Sequence, residues 1–178
     1  GALLAAFPFT LLGFHADNGS EYINHQVAAM LEKLRVEFTK SRPRHSNDNG
    51  LAETKNGAVV RKCFGYSHIP QRFATQVNAF CAEHLTPYLN FHRPCLFAEE
   101  VVSDKGKVKK RYPQRLVMTP LEKLASLPKA ASFLRLGVSL DQLQTQAKRL
   151  TDNEAARQLN EARQRLFLSV QRRSNRAA

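Results

Sequence analysis

A chain of 178 residues with 43% hydrophobic side chains holds enough apolar material for one domain, or one with an appendage, and wholesale disorder is excluded. A formal net charge of +12 points to a polyanionic partner. Three cysteines, Cys63, Cys81 and Cys95, cannot all pair, which favours a reducing compartment over a disulfide framework.

The apolar opening, Ala2–Phe14, has no basic flank, is broken by Pro8 and runs into an acidic motif, so it does not read as a signal peptide. No other stretch approaches the roughly 20 apolar residues of a membrane span. The chain opens at Gly1 inside this segment and reads as a fragment. The run Phe9–Ala16 is predicted as a buried strand that turns at Asn18-Gly19, just after Asp17. A helix capped by Asn24 follows, with Val27, Met30, Leu31 and Leu34 on one face, and Val36–Thr39 returns as a strand. Polar residues 41–49 lead into a helix from about Asp48 that carries Glu53, with Val59, Val60 and Phe64 on its packing side.

A second helix is expected from about Pro70 to Asn90, with Phe73, Val77, Phe80, Ala82 and Leu85 at approximate helical spacing. Beyond Pro94, Val101–Ser103 and Val108–Tyr112 flank a Lys/Gly turn and read as a basic hairpin. Lys107, Lys109, Arg111 and Arg115 alternate, which on a strand places them on one side, as backbone-tracking contacts require. Three capping boxes then begin helices, at Thr119–Glu122, Ser139–Gln142 and Thr151–Glu154. The last two helices carry Leu140, Leu143, Ala147 and Leu150, then Ala155, Leu159, Ala162, Leu166 and Val170. These stripes suit internal packing, with an oligomer seam as the competing reading. The charge is lopsided. Residues 1–94 hold ten Lys and Arg against seven Asp and Glu, and 95–178 hold seventeen against eight.

Asp17 and Glu53 have 35 residues between them in a basic chain, inside His15–Tyr22 and Ser41–Glu53. Ionised carboxylates are the oxygen ligands that hard divalent cations take, so the pair points to a metal site for phosphate chemistry. Asp48 competes as a ligand but suits a helix cap, and Glu21 and His15 read as surface and packing residues. Cys81-x2-His84 and His92-x2-Cys95 offer four zinc-compatible side chains, but the first pair falls in a helical pattern, and a structural zinc is the lesser reading.

Ser41-Arg42-Pro43, Asn47-Asp48, Glu53-Thr54-Lys55-Asn56, Val60-Arg61-Lys62 and Gly65-Tyr66, downstream of Asp17-Asn18-Gly19, resemble the catalytic core of retroviral integrases and, most closely, of bacterial insertion-sequence transposases. Tyr88–Phe91, Lys109–Tyr112 and Thr119–Leu121 resemble the segment that follows, so the likeness covers about residues 7–127. It implies an α/β chain: a partial RNase H-like core over 1–94, a basic hairpin and connector over 95–127, and a helical region over 128–178. In that family the triad is Asp, Asp, 35 residues, Glu; Asp17 is then the second member and Glu53 the third, both ligands of Mg²⁺ or Mn²⁺. The first, on an earlier strand, is absent from this chain, so the isolated chain is expected to be inactive. Arg42, Arg44, Lys55, Arg61, Lys62, Lys107, Lys109, Lys110, Arg111 and Arg115 are the expected contacts to double-stranded DNA, at element ends and target. The resemblance further implies homo-oligomers in the full-length enzyme, no membrane, and a bacterial cytoplasmic, nucleoid-associated location. Two other outcomes stay open: an inactive DNA-binding remnant of a mobile element, and an RNase H-like nuclease on RNA-containing duplexes.

Overall fold

The computed structural model describes residues 7–16, 25–42, 56–103 and 106–175, apart from the side chains of Gln26, Val27 and 172–175. It is a mixed α/β chain that divides into two compact units, residues 9–68 and residues 69–178, the latter joined by Phe7 and Pro8. The boundary expected at 94/95 does not coincide with this division. The helical stretch 71–92 packs on the C-terminal helix and so belongs with it.

In the first unit, β1 (Gly13–Ala16) pairs in parallel with β2 (Glu37–Lys40), in the register Phe14 to Phe38 and Ala16 to Lys40. Parallel strands need a crossover, and α1 (His25–Lys33) lies in it. The chain leaves α1 through a left-handed Arg35 (φ 53°). Val36 N–H donates to Leu31 O and Arg35 N–H to Glu32 O, both at 2.9 Å, which closes the helix end as a Schellman motif. Leu31 and Val36, brought together by that turn, are buried with Ala16. The expected apolar face is narrower than its sequence: Leu31 is buried, whereas Met30 and Leu34 are exposed. Strand β1 is likewise shorter than the run from Phe9, because regular pairing begins at Gly13.

Helix α2, described over residues 56–64, ends at Gly65, whose φ of 75° suits only a residue without a Cβ, and the start expected near Asp48 lies outside the described residues. Cys63 is its buried residue, Val59 and Phe64 are half-buried, and Val60 is exposed.

In the second unit, α3 (71–92) is continuous but wound wide, with i to i+5 bonding, over Cys81–Leu85 and Tyr88–His92. Pro87 sits between the wide turns. It has no N–H to give and its ring presses on the carbonyl four residues back, which opens the helix locally. Phe73, Phe80 and Leu85 are buried; Ala82, two positions from Phe80 and so on the far side, is exposed.

Two nested antiparallel ribbons follow. Strands β3 (Cys95–Leu96) and β6 (Val117–Met118) bracket a hairpin of β4 (Glu99–Val102) and β5 (Val108–Arg111). The hairpin starts two residues earlier than the apolar pattern suggests. Glu99 stands opposite Arg111 and Glu100 opposite Lys110, and opposite charges facing across a ladder stabilise those extra pairs.

Helices α4 (Pro120–Ala125), α5 (Leu140–Ala147) and α6 (Asp152–Asn175) complete the unit, and all three expected capping boxes form. Thr119 Oγ1 accepts from Glu122 N at 3.2 Å while Glu122 Oε2 accepts from Thr119 N at 2.7 Å. Ser139 with Gln142, and Thr151 with Glu154, repeat the exchange. Leu121, Leu134 and Leu143 form the buried cluster, with Phe91, Leu124, Val138, Leu140 and Ala147 against it.

The stripe on α6 packs inside the chain. Ala155, Ala162 and Leu166 are buried, and α6 contacts α3 along both of its halves. Gln76 meets Ser169 at 2.9 Å and His92 meets Asp152 at 3.0 Å, so the two helices run antiparallel over about 25 Å at 1.5 Å per residue. Among the described residues, no helix is long and apolar enough to cross a membrane.

Candidate metal and nucleic-acid site

The candidate site begins where β1 ends. Because β1 and β2 are parallel, both release the chain at the same edge, after Ala16 and after Lys40. The carboxyl ends of parallel strands are where open α/β sheets bind their ligands. Ser41 N–H donates to Ala16 O at 3.0 Å and extends the ladder by one step beyond the paired strands.

His15 braces this edge. Its Nδ1 lies 2.9 Å from Thr39 Oγ1 and its Nε2 3.2 Å from Ser41 Oγ, so both ring nitrogens are engaged by hydroxyls of the neighbouring strand and its exit. Ser41 is almost completely buried despite its hydroxyl. The arrangement suits His15 to positioning, since neither nitrogen is left over for proton transfer.

Asp17 is the next residue after this braced end in sequence, but Asp17, Glu53, Arg44, Lys55 and the competing Asp48 lie outside the described residues. Arg42 is exposed just beyond β2. Arg61 and Lys62 are exposed on α2, and the Arg61 guanidinium stands over the Tyr66 ring, 5.1 Å from its centroid. That stacking orders a cation that is still open to solvent.

The five expected contacts of the ribbon are all exposed, but they are not equivalent. Lys109 and Arg111 share a face of β5, as alternation requires, while Lys110 occupies the other face opposite Glu100. Lys107 lies in the turn, where its backbone N–H and carbonyl bond to the Ser103 hydroxyl. Arg115 departs from the expected alternation. It sits in a single helical turn, Gln114–Leu116, beyond Pro113, and its guanidinium pairs with Glu99. Lys109 faces Val101, so no carboxylate stands directly opposite it.

The zinc-compatible side chains have other neighbours. Burial pushes the Cys81 thiol above its ordinary range. His84 stacks near Phe80, with 6.2 Å between ring centroids, Cys95 Sγ approaches Arg93 O, and His92 bonds Asp152. Among the described residues, no three His, Cys, Asp or Glu side chains converge as a metal site would need. The His92–Asp152 pair has no local sequence signal, because its members are 60 residues apart and each belongs to another pattern.

No protein-family model matches the chain, and no solved structure matches it significantly. Over 106 residues, 60% of its length, the chain is 33% identical to an uncharacterized protein, y4rM, of Sinorhizobium fredii, and the aligned part spans 30% of that protein.

Proposed function

We propose that this chain is part of an integrase-core transposase with an RNase H-like catalytic domain, which cuts DNA and joins strands with the help of Mg²⁺ or Mn²⁺. The observation that carries the reading is the Asp17 to Glu53 motif, 35 residues between, placed by sequence directly after a braced strand end. The parallel pair with a helical crossover is the unit from which such a domain is built, and it supports the reading.

The donor set suits a hard divalent cation: Asp17 and Glu53 supply carboxylate oxygens and remain ionised as ligands. When bound, the metal supplies Lewis-acid charge at the phosphoryl oxygens and an activated attacking oxygen. The protein's share is to hold the phosphodiester in line. Arg42, Arg44, Lys55, Arg61 and Lys62 flank the two carboxylates in sequence and would grip phosphates there, and Lys107, Lys109, Lys110 and Arg111 would supply further phosphate contacts. Homo-oligomerisation on two DNA ends, and a cytoplasmic place at the nucleoid, follow from the same reading.

Extended upstream to supply a first catalytic carboxylate, the chain is expected to nick or join labelled duplex DNA when Mg²⁺ or Mn²⁺ is added. Loss of a partner that merely supports a metal ligand already costs about 10–100-fold. Asp17→Asn or Glu53→Gln should therefore lower the rate at least that far, and full activity in either variant would rule the reading out.

The excess of cations in residues 95–178 favours a second reading, a DNA-binding remnant without catalysis. It shares the salt-dependent binding and differs in one outcome: the upstream-extended protein yields no nicked or joined product with either metal.

A further inference from the structure

The register of β4 and β5 gives their ribbon two distinct faces, because residues paired across a ladder point to the same side. Glu99, Val101, Lys109 and Arg111 share one face, and Glu100, Val102, Val108 and Lys110 share the other. All four residues of β5 are exposed, so cations reach solvent on both sides of that strand. Residues 99–115 hold six Lys and Arg against three Asp and Glu.

Val102 and Val108 form the last rung before the turn, and they are 66% and 60% exposed. Two aliphatic side chains thus stand in water at the turn end of a basic ribbon. Strand propensity does not require them, since threonine is equally branched and exposes less apolar surface. The turn beyond them is braced. Ser103 Oγ donates to Lys107 O at 3.0 Å and accepts from Lys107 N at 3.2 Å. Ser103 N–H also donates to Lys107 O at 2.9 Å, and Gly106, with φ of 70°, takes the left-handed bend.

The charges choose the partner. A ribbon lying flat on one polyanionic strand needs cations on one side only. Cations on both sides suit a groove with a phosphate wall on each side. The minor groove of B-DNA, about 6 Å wide, brings two such walls closest together. Lys109 faces Val101, with no carboxylate directly opposite it; Lys110 stands opposite Glu100, an exposed pair that a phosphate can replace at little cost. Valine has no donor or acceptor with which to read a base edge. Its contact in the groove is apolar, and apolar wedges between base steps unstack them and kink the duplex.

We propose that the ribbon enters the minor groove of double-stranded DNA tip first and bends the duplex. Lys109 and Arg111 meet one phosphate wall, Lys110 meets the other, and Val102 and Val108 wedge into the base stack. The proposal rests on the DNA-binding part of the transposase reading and deepens it by naming the groove and the deformation.

The test uses the full chain and a short duplex with TA steps, which unstack easily, labelled at both ends for energy transfer. No divalent metal is added, so bending is read without cleavage. The wild-type chain should bend the duplex by at least about 20°. A chain carrying both Val102→Thr and Val108→Thr keeps the branched side chains that strands favour and loses the apolar wedge. It should bind about fourfold more weakly per valine, the share of one buried methyl, and lose the bend. Its slope of log affinity against log salt should be unchanged, because no phosphate contact is altered. Replacing thymine by uracil strips methyl groups from the major groove alone and should change neither affinity nor bend. A straight duplex in the wild-type complex, a bend that survives in the double variant, or affinity that falls with the thymine methyls would overturn the proposal. So would a salt slope that falls together with the bend, since the valines would then only hold the ribbon's shape. Absence of duplex binding overturns it too, whereas absence of cleavage by the upstream-extended protein counts against the transposase reading alone.

Discussion

Glu154 shows how one side chain couples a helix start to pH. Its carboxylate accepts the Thr151 backbone N–H and the Thr151 hydroxyl, with Arg157 nearby, and these hold it below the ordinary glutamate range. A depressed carboxylate stabilises the fold above its unfolded value and loses that contribution as the pH falls through its folded value. Glu154→Gln keeps an oxygen for the cap but removes the charge. The stability gap between wild type and Glu154→Gln should shrink as pH falls from about 6 to about 2, followed by denaturant midpoints. On the ribbon, Lys109 faces an uncharged valine while Arg115 is paired with Glu99. If the ribbon tracks DNA, Lys109→Ala should reduce the slope of log affinity against log salt by about 0.9, the share of one phosphate contact. Arg115→Ala should change it less, and fluorescence anisotropy across a salt series measures both.

Whole elements depend on local chemistry that sequence spells out. Each of the last three α-helices starts at a hydroxyl residue with Glu or Gln three positions on, and the reciprocal bonds form in all of them. Thr119 is the buried member of the set, so its loss also strands an amide in a poorly solvated place. Thr119→Ala should cost about 1–2 kcal/mol in urea unfolding. The hairpin shows the complementary lesson. Its turn and apolar residues were legible, but its length was set by Glu99 and Glu100 meeting Arg111 and Lys110, a pairing that exists only once register is chosen. Helix α3 was legible in extent, yet its wide turns about Pro87 were not, since hydrophobic spacing is too coarse to register a change in winding.

At the scale of the molecule, the C-terminal unit rests on Leu121, Leu134 and Leu143, contributed by α4, the Leu134 segment and α5. Truncating Leu143 to Ala should cost about 2–5 kcal/mol, because the cavity would sit where three segments meet and none can collapse alone. A single cooperative shift in the thermal or denaturant midpoint of the C-terminal unit checks this. Sequence by itself determined the alternation of strands and helices, the caps, the basic C-terminal half and the spacing of Asp17 and Glu53, because these follow from residue chemistry acting over a few neighbours or from simple counting. Tertiary structure decided the rest. It assigned 71–92 to the C-terminal unit, neutralised Arg115 through Glu99, turned the α6 stripe onto α3 and joined His92 to Asp152 across 60 residues. Burial and charge pairing depend on which distant segments meet, and chain order alone does not encode that meeting at any single position.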